Sequence, residues 1–304
     1  MSASLWPALP DWSGTRDTLH LWTQIVGKIR LALTPWTNHS WHVPLYVTSR
    51  GLTTSPMPHG MRLFEIAFDF VEHQLVIDTD AERRVLPLRA QSVAAFHEEL
   101  MDTLRQLELA VEIHGSPNEV TDPIPFVEDT VHASYDPEAA ARFGAVLRQA
   151  HRVFTAFRAQ FTGKVSPVHF FWGSFDLCVT RFSGREAPEH PGGIPNLPDW
   201  ITREAYSDEV SSVGFWPGDA TFGPLFYSYA YPGPEGFAEA SVLPAGAHYD
   251  PNLYEFVLPY EVVVEQGDKA LIAFSESTYE AAARLGVWDE LVTDAPPEAR
   301  PRPF

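Results

Sequence analysis

Ser166-Pro167-Val168-His169-Phe170-Phe171-Trp172-Gly173-Ser174-Phe175-Asp176-Leu177-Cys178-Val179-Thr180-Arg181-Phe182 is dominated by aromatic and β-branched residues and shows no helical repeat. That pattern predicts one long, mostly buried strand over 167 to 182. The apolar run also carries His169, Ser174, Asp176 and Arg181. A polar group buried without a hydrogen-bond partner costs about 1 to 3 kcal/mol, so this strand needs internal partners or a ligand. It is therefore the first candidate for a functional site. In a straight strand His169 and Asp176 would point to opposite faces. Gly173-Ser174 between them reads as a β-bulge that would bring both side chains to one side.

Just before this strand, Asp136 is placed to cap a helix with Pro137 at its first position. Phe143, Leu147, Ala150, Phe154, Phe157 and Phe161 then recur at helical spacing, a stripe expected to pack in the core. After the strand, 184 to 200 is rich in Pro and Gly, and an irregular segment of this length is either functional or mobile. Further strands are expected at 206 to 218, 226 to 232 and 255 to 260, with Tyr227, Tyr229 and Tyr231 on one face. A last helix is expected at about 277 to 285.

Farther upstream, Leu19, Trp22, Val26, Ile29 and Leu33 line one face of a helix over 15 to 33. A strand over 38 to 48 follows, with Pro44 marking an edge or a bulge. Phe64, Ile66, Phe68 and Phe70 alternate with polar or small residues, and 75 to 78 should return as the second strand of a hairpin. A helix over 91 to 107 and a short strand over 109 to 113 complete this region. The expected fold class is α+β, with mainly antiparallel sheets and flanking helices in two closely packed lobes. The expected organisation is an N-terminal lobe (1–114), a polar connection (115–135), a C-terminal lobe (136–295) and a disordered tail (296–304).

The 304 residues are 45% hydrophobic and only 20% charged, which is a globular composition. Forty Asp and Glu against 21 Lys and Arg give a net charge of −19, which repels nucleic acid and an anionic membrane surface. No long apolar run is present and Met1 to Trp12 lacks the pattern of a signal peptide, so a cytoplasmic location is expected. Cys178 is the sole cysteine, which leaves no disulfide or Cys-based zinc site within the chain and reads as a small buried hydrophobe. The glycine-rich dinucleotide and phosphate loops, the Gly-x-Ser-x-Gly elbow and His-Glu-x-x-His are all missing. Nucleotide-dependent and serine hydrolase chemistry are disfavoured accordingly.

Over nearly its whole length the chain resembles a bacterial protein family catalogued only as a domain of unknown function. The resemblance lies in Trp41 to Thr48, His132 to Asp136, Ser166 to Gly184, Glu204 to Ser207, Gly214 to Gly218 and Ser277 to Ala283. It implies membership and no activity. Position 208 is often His in the family's pattern and is Asp208 here, which argues against a mechanism that needs an imidazole at that place.

The residues themselves suggest His169, Asp176 and Glu209 as acid–base groups, with His169 oriented by one of the carboxylates. The plainer reading of His169 is a core histidine bonded to a backbone carbonyl. Arg181 is either a clamp for a substrate carboxylate or the partner of Asp176 or Glu209 in a buried ion pair. Trp172, Ser174, Tyr206, Trp216 and Tyr227 complete the expected binding surface. His39 and His42 would face opposite ways on a strand, which argues against joint metal ligation, and His248 reads as a solvated loop residue. The sequence points to no particular cofactor, metal or oligomeric state. The expected function is a cytoplasmic enzyme acting on a small polar or aromatic molecule by His/carboxylate acid–base or metal-assisted chemistry. The alternatives are a non-catalytic small-molecule-binding protein using the same pocket, or an interaction module with an exposed aromatic patch.

Overall fold

The computed structural model describes residues 6–288, and the tail at 296–304 lies outside them. In chain order the first half contains α1 (Ser13–Leu33), β1 (Tyr46–Val47), β2 (Gly51–Thr53), β3 (Met57–His59), β4 (Arg62–Asp69), β5 (Gln74–Thr79), β6 (Arg83–Pro87) and α2 (Val93–Gln106). The second half contains α3 (Pro137–Ala159), β7 (His169–Phe171), β8 (Asp176–Glu186), α4 (Asp199–Ala205), β9 (Asp208–Trp216), β10 (Leu225–Tyr231), β11 (His248–Asp250), β12 (Glu255–Pro259), α5 (Tyr260–Gln266) and α6 (Asp268–Leu285). The fold is α+β, with two open antiparallel sheets.

The first sheet runs β1-β2-β4-β5-β6 with β3 also on β4. Its β4–β5 hairpin sets Ile66 opposite Ile77, and the alternation along β4 buries Phe64, Ile66 and Phe68. Two helices cover these side chains. Phe96 of α2 stacks 4.6 Å from Trp22 of α1 and 6.5 Å from Phe68. The N-terminus of α2 is held by Ser92, whose side chain accepts from the Ala95 amide.

The second sheet runs β11-β12-β10-β9-β8-β7. One of its faces rests on α3 and α6, where Phe226 meets Phe154 at 6.3 Å and Phe215 at 5.3 Å. Asp136 caps α3 as its sequence predicts, accepting from the Glu138 and Ala139 amides. A reciprocal pair of 2.9 Å backbone bonds between Leu45 and Phe170 ties the segment before β1 to β7. A single hydrophobic cluster runs through both sheets and the helices over them.

The stretch 167–182 is two strands and not one. Phe171 pairs with Asp176 and His169 with Cys178, so β7 and β8 form a hairpin closed at residues 172–175. Contacts from α1 hold this turn. The Trp172 indole lies on Gly27, where any Cβ would overlap the ring, and its Nε1 donates to the Val43 carbonyl at 2.9 Å. His20 Nε2 lies 2.8 Å from the Gly173 carbonyl, and Phe175 takes a left-handed φ of 61°. A hairpin register, and no bulge, is therefore what turns His169 and Asp176 to one side.

Other expectations also change. Most of 38–48 is irregular, with a 3-10 turn at Asn38–Ser40. The His39 amide donates to Glu204 Oε1 at 2.7 Å, and His39 and Ser40 take left-handed φ, so no ladder forms there. The chain from 109 to 113 makes no strand; it leaves α2 through a left-handed Glu108 at φ 59°. The last helix begins at Asp268, well before 277.

Candidate functional site

The second sheet alternates strictly, so the face turned away from α3 and α6 carries a defined set of side chains. Cys178 pairs with Gly214 and Gly214 with Tyr227, which aligns Asp176, Cys178, Thr180 and Phe182 with Tyr227 and Tyr229 across β9. This face floors a cavity of about 450 Å3, a volume within the ordinary range for a small-molecule site. Trp41 and Trp172 stand on one side. Ile194, Leu197, Ile201 and Tyr206 close over the top, and Glu255 lies toward β12.

Gly214 makes the centre possible. A Cβ there would overlap the Tyr227 ring, so the missing side chain lets the phenol lie across β9. Tyr227 Oη donates to Asp176 Oδ2, and Ser174 Oγ donates to Asp176 Oδ1. Tyr206 and Tyr229 share a hydroxyl hydrogen bond of 2.9 Å beside them.

Glu119 enters from the long connection, which α1 and the roof hold in place. Gln24 Oε1 accepts from the Asn118 amide at 2.8 Å, and its Nε2 donates to the Asn118 carbonyl at 2.9 Å. The Glu119 amide donates to the Pro195 carbonyl at 2.9 Å. The Glu119 carboxyl itself fills the space that a side chain at Gly173 would need.

Burial governs the protonation of this lining. Glu119 is pushed up to about 7 by desolvation and then by the charge of Asp176, with Lys28 pulling the other way. Glu255 is pushed up to about 8 by the same two causes. Burial also raises Asp176, opposed by its hydrogen bonds from Ser174 and Tyr227. The Cys178 thiol is held up by burial and stays protonated. Burial, followed by Arg30 and Arg158, drives His169 down to about 3, so its imidazole is neutral at pH 7. Lys28, behind Trp172, falls to about 8 through burial.

His169, Trp172, Ser174, Asp176, Tyr206, Trp216 and Tyr227 all line the cavity. His169 is only 1% exposed. It packs edge-on to Trp41 and Tyr46, and its Nε2 is enclosed without a hydrogen-bond partner. Arg181 and Glu209 sit on the opposite face. Arg181 pairs with Glu276 of α6 at 3.2 Å. Glu209 accepts from Arg185 at 2.6 Å and from Ser183 at 2.9 Å. Odd-numbered residues of β8 and β9 pair across the ladder on that face, and this parity removes both from the cavity.

Asp208 bonds Lys164 at 2.7 Å and lies 3.5 Å from His39. His42 Nδ1 accepts from the Thr37 amide at 3.2 Å, which gives it a local structural role. Glu255 and Tyr229 stand out in the sequence as polar groups on aromatic strands, without a feature that joins them to Asp176. Glu119 had no signal at all, because it lies in an irregular polar segment. Among the described residues no group of three or more His, Cys, Asp or Glu could hold a metal ion, and no helix is long and apolar enough to cross a membrane.

The fold and cavity define an α+β protein with an aromatic, carboxyl-bearing chamber against one sheet face. The chain belongs to the family described as "Family of unknown function (DUF5996)", whose pattern matches residues 6–294. No curated protein and no solved structure matches it.

Proposed function

We propose that the chain is an enzyme that encloses a small molecule in this cavity and transfers a proton on it. The observation that carries this reading is the meeting of Asp176, Glu119 and Glu255 in one apolar chamber, with carboxyl pKa values raised toward neutrality. Carboxyls so poised serve general acid–base catalysis at pH 7, and groups pushed to different values divide the roles. Asp176 receives two hydrogen bonds that favour its charged form, which suits it to be the base. Glu255 is raised by burial and by the Asp176 charge and keeps its proton, which suits it to be the acid. Neutral His169 lies beside the ligand, and Ile194, Leu197, Ile201 and Tyr206 cover part of the cavity. The net charge of −19 disfavours nucleic acid as a partner, and we place the reaction in the cytoplasm.

The test is incubation of the purified protein in D2O with a fractionated small-molecule extract, read by mass spectrometry. Deuterium uptake or conversion of a bound species is expected, with a loss of about 10²- to 10⁴-fold in Asp176→Asn. Retention of a compound with neither exchange nor conversion would leave a binding protein in place of an enzyme.

A further inference from the structure

We infer that the molecule held in this cavity is a protonated organic amine with an aromatic or apolar body. This rests on the reading of the cavity as a small-molecule site and names its ligand class. The first reason is charge. Asp176, Glu119 and Glu255 line the chamber, and no Lys or Arg does so. Glu119 has Lys28 behind it, whereas Asp176 is bonded only by the neutral hydroxyls of Ser174 and Tyr227. An anionic ligand would be repelled by Asp176, and a neutral one would leave that buried carboxylate uncompensated.

The second reason is the wall. Trp41, Trp172, Trp216, Phe182 and Tyr227 present rings to the space, and ring faces attract ammonium groups. The molecule already uses this pairing at the edge of the chamber. Lys164 Nζ lies 4.5 Å from the Phe182 ring centroid and 2.7 Å from Asp208, and Lys28 Nζ lies 5.6 Å from that of Trp172.

His169 also lines the cavity and is 1% exposed, its Nε2 enclosed without a hydrogen-bond partner, and its neutral imidazole brings no positive charge to the chamber. The carboxyls do not gather into a group that could bind a metal ion.

Isothermal titration of the full chain with tryptamine, tryptophol and indole-3-acetate isolates the charge, since the three share one ring and differ in the end group. Tryptamine should bind at least about tenfold more tightly than tryptophol, and indole-3-acetate should bind more weakly still. Phenethylamine and cadaverine extend the series in size. Asp176→Asn should weaken tryptamine by about tenfold and narrow its preference over tryptophol. The selectivity of the unaltered protein needs no variant to fold. Equal or tighter binding of tryptophol or indole-3-acetate overturns the amine class and leaves the pocket reading intact. Tryptamine binding without proton exchange supports the amine class and counts against the enzyme. Failure of all three amines to bind at millimolar concentration overturns the inference.

Discussion

Strand β8 carries a buried acid and a buried base, and its two faces treat them differently. Arg181, on the helix side, pairs with Glu276 and donates to the Phe157 carbonyl at 2.6 Å. Its guanidinium sits 3.4 Å from the Phe157 ring centroid and 4.3 Å from that of Tyr279. Asp176, on the cavity side, has hydroxyl donors and no cation among the lining residues. A buried charge whose counter-charge the protein itself supplies is structural. One left with neutral partners beside an open volume is available to a ligand, and that contrast separates the two faces better than residue type does.

The largest expected effect lies on the helix face. Arg181→Ala removes the cation of a largely buried ion pair and should cost about 3 to 5 kcal/mol, read from thermal or denaturant melts. Adding Glu276→Ala should recover part of that loss. Combining Arg181→Ala with Asp176→Asn should be additive, and coupling between those two would break the distinction between the faces.

The next effect is pH-dependent and belongs to the cavity. Glu255 has a folded pKa of about 8 against 4.5 for the free group, so the native state holds a proton that the unfolded chain has released. Its contribution to stability is complete below 4.5 and is lost as pH rises toward 8. Glu255→Gln should therefore gain on the unaltered protein across that window, by on the order of 2 kcal/mol at the upper end. Denaturant titrations at pH 5 and pH 8 measure it. Using the difference between the two proteins cancels the opposing titration of His169 and Lys28, and parallel curves would refute the raised carboxyl.

A smaller effect is expected at His169. With Nε2 unpartnered, His169→Phe removes an unsatisfied group at similar volume and should change stability by no more than about 1 kcal/mol. A loss of several kcal/mol on melting would show that the imidazole is bonded within the core after all. The smallest change belongs to Glu209→Gln, whose partner Arg185 is half exposed; below about 1 kcal/mol is expected from denaturant melts.

Much of the cavity was legible before any fold was known. Tyr227, Tyr229 and Trp216 fell on alternating strands, and Asp176 stood out as an acid among aromatics. Arg181 stands out for the same reason, and it does form a buried ion pair, with Glu276 in place of Asp176 or Glu209. Composition along one strand does not say which face meets a helix and which meets a cavity, because both faces here are apolar. Glu119 was invisible because its place depends on Gln24 of α1 and on Pro195 of the roof, residues remote in sequence.

By itself the sequence determined the local elements whose causes are local. These are the helix capped at Asp136, the alternation of β4, the hairpin to β5 and the α+β class. Tertiary structure alone decided that 167–182 folds back at Trp172. An aromatic run pairs equally well as one strand or two, and the choice lies with Gly27, His20 and Val43, which seat the Trp172 indole and bond the turn. It also decided that Asp176, Glu119 and Glu255 share one chamber. Their spacing in the chain carries no information about proximity, and long-range packing of sheet, helix and loop is what brings them together.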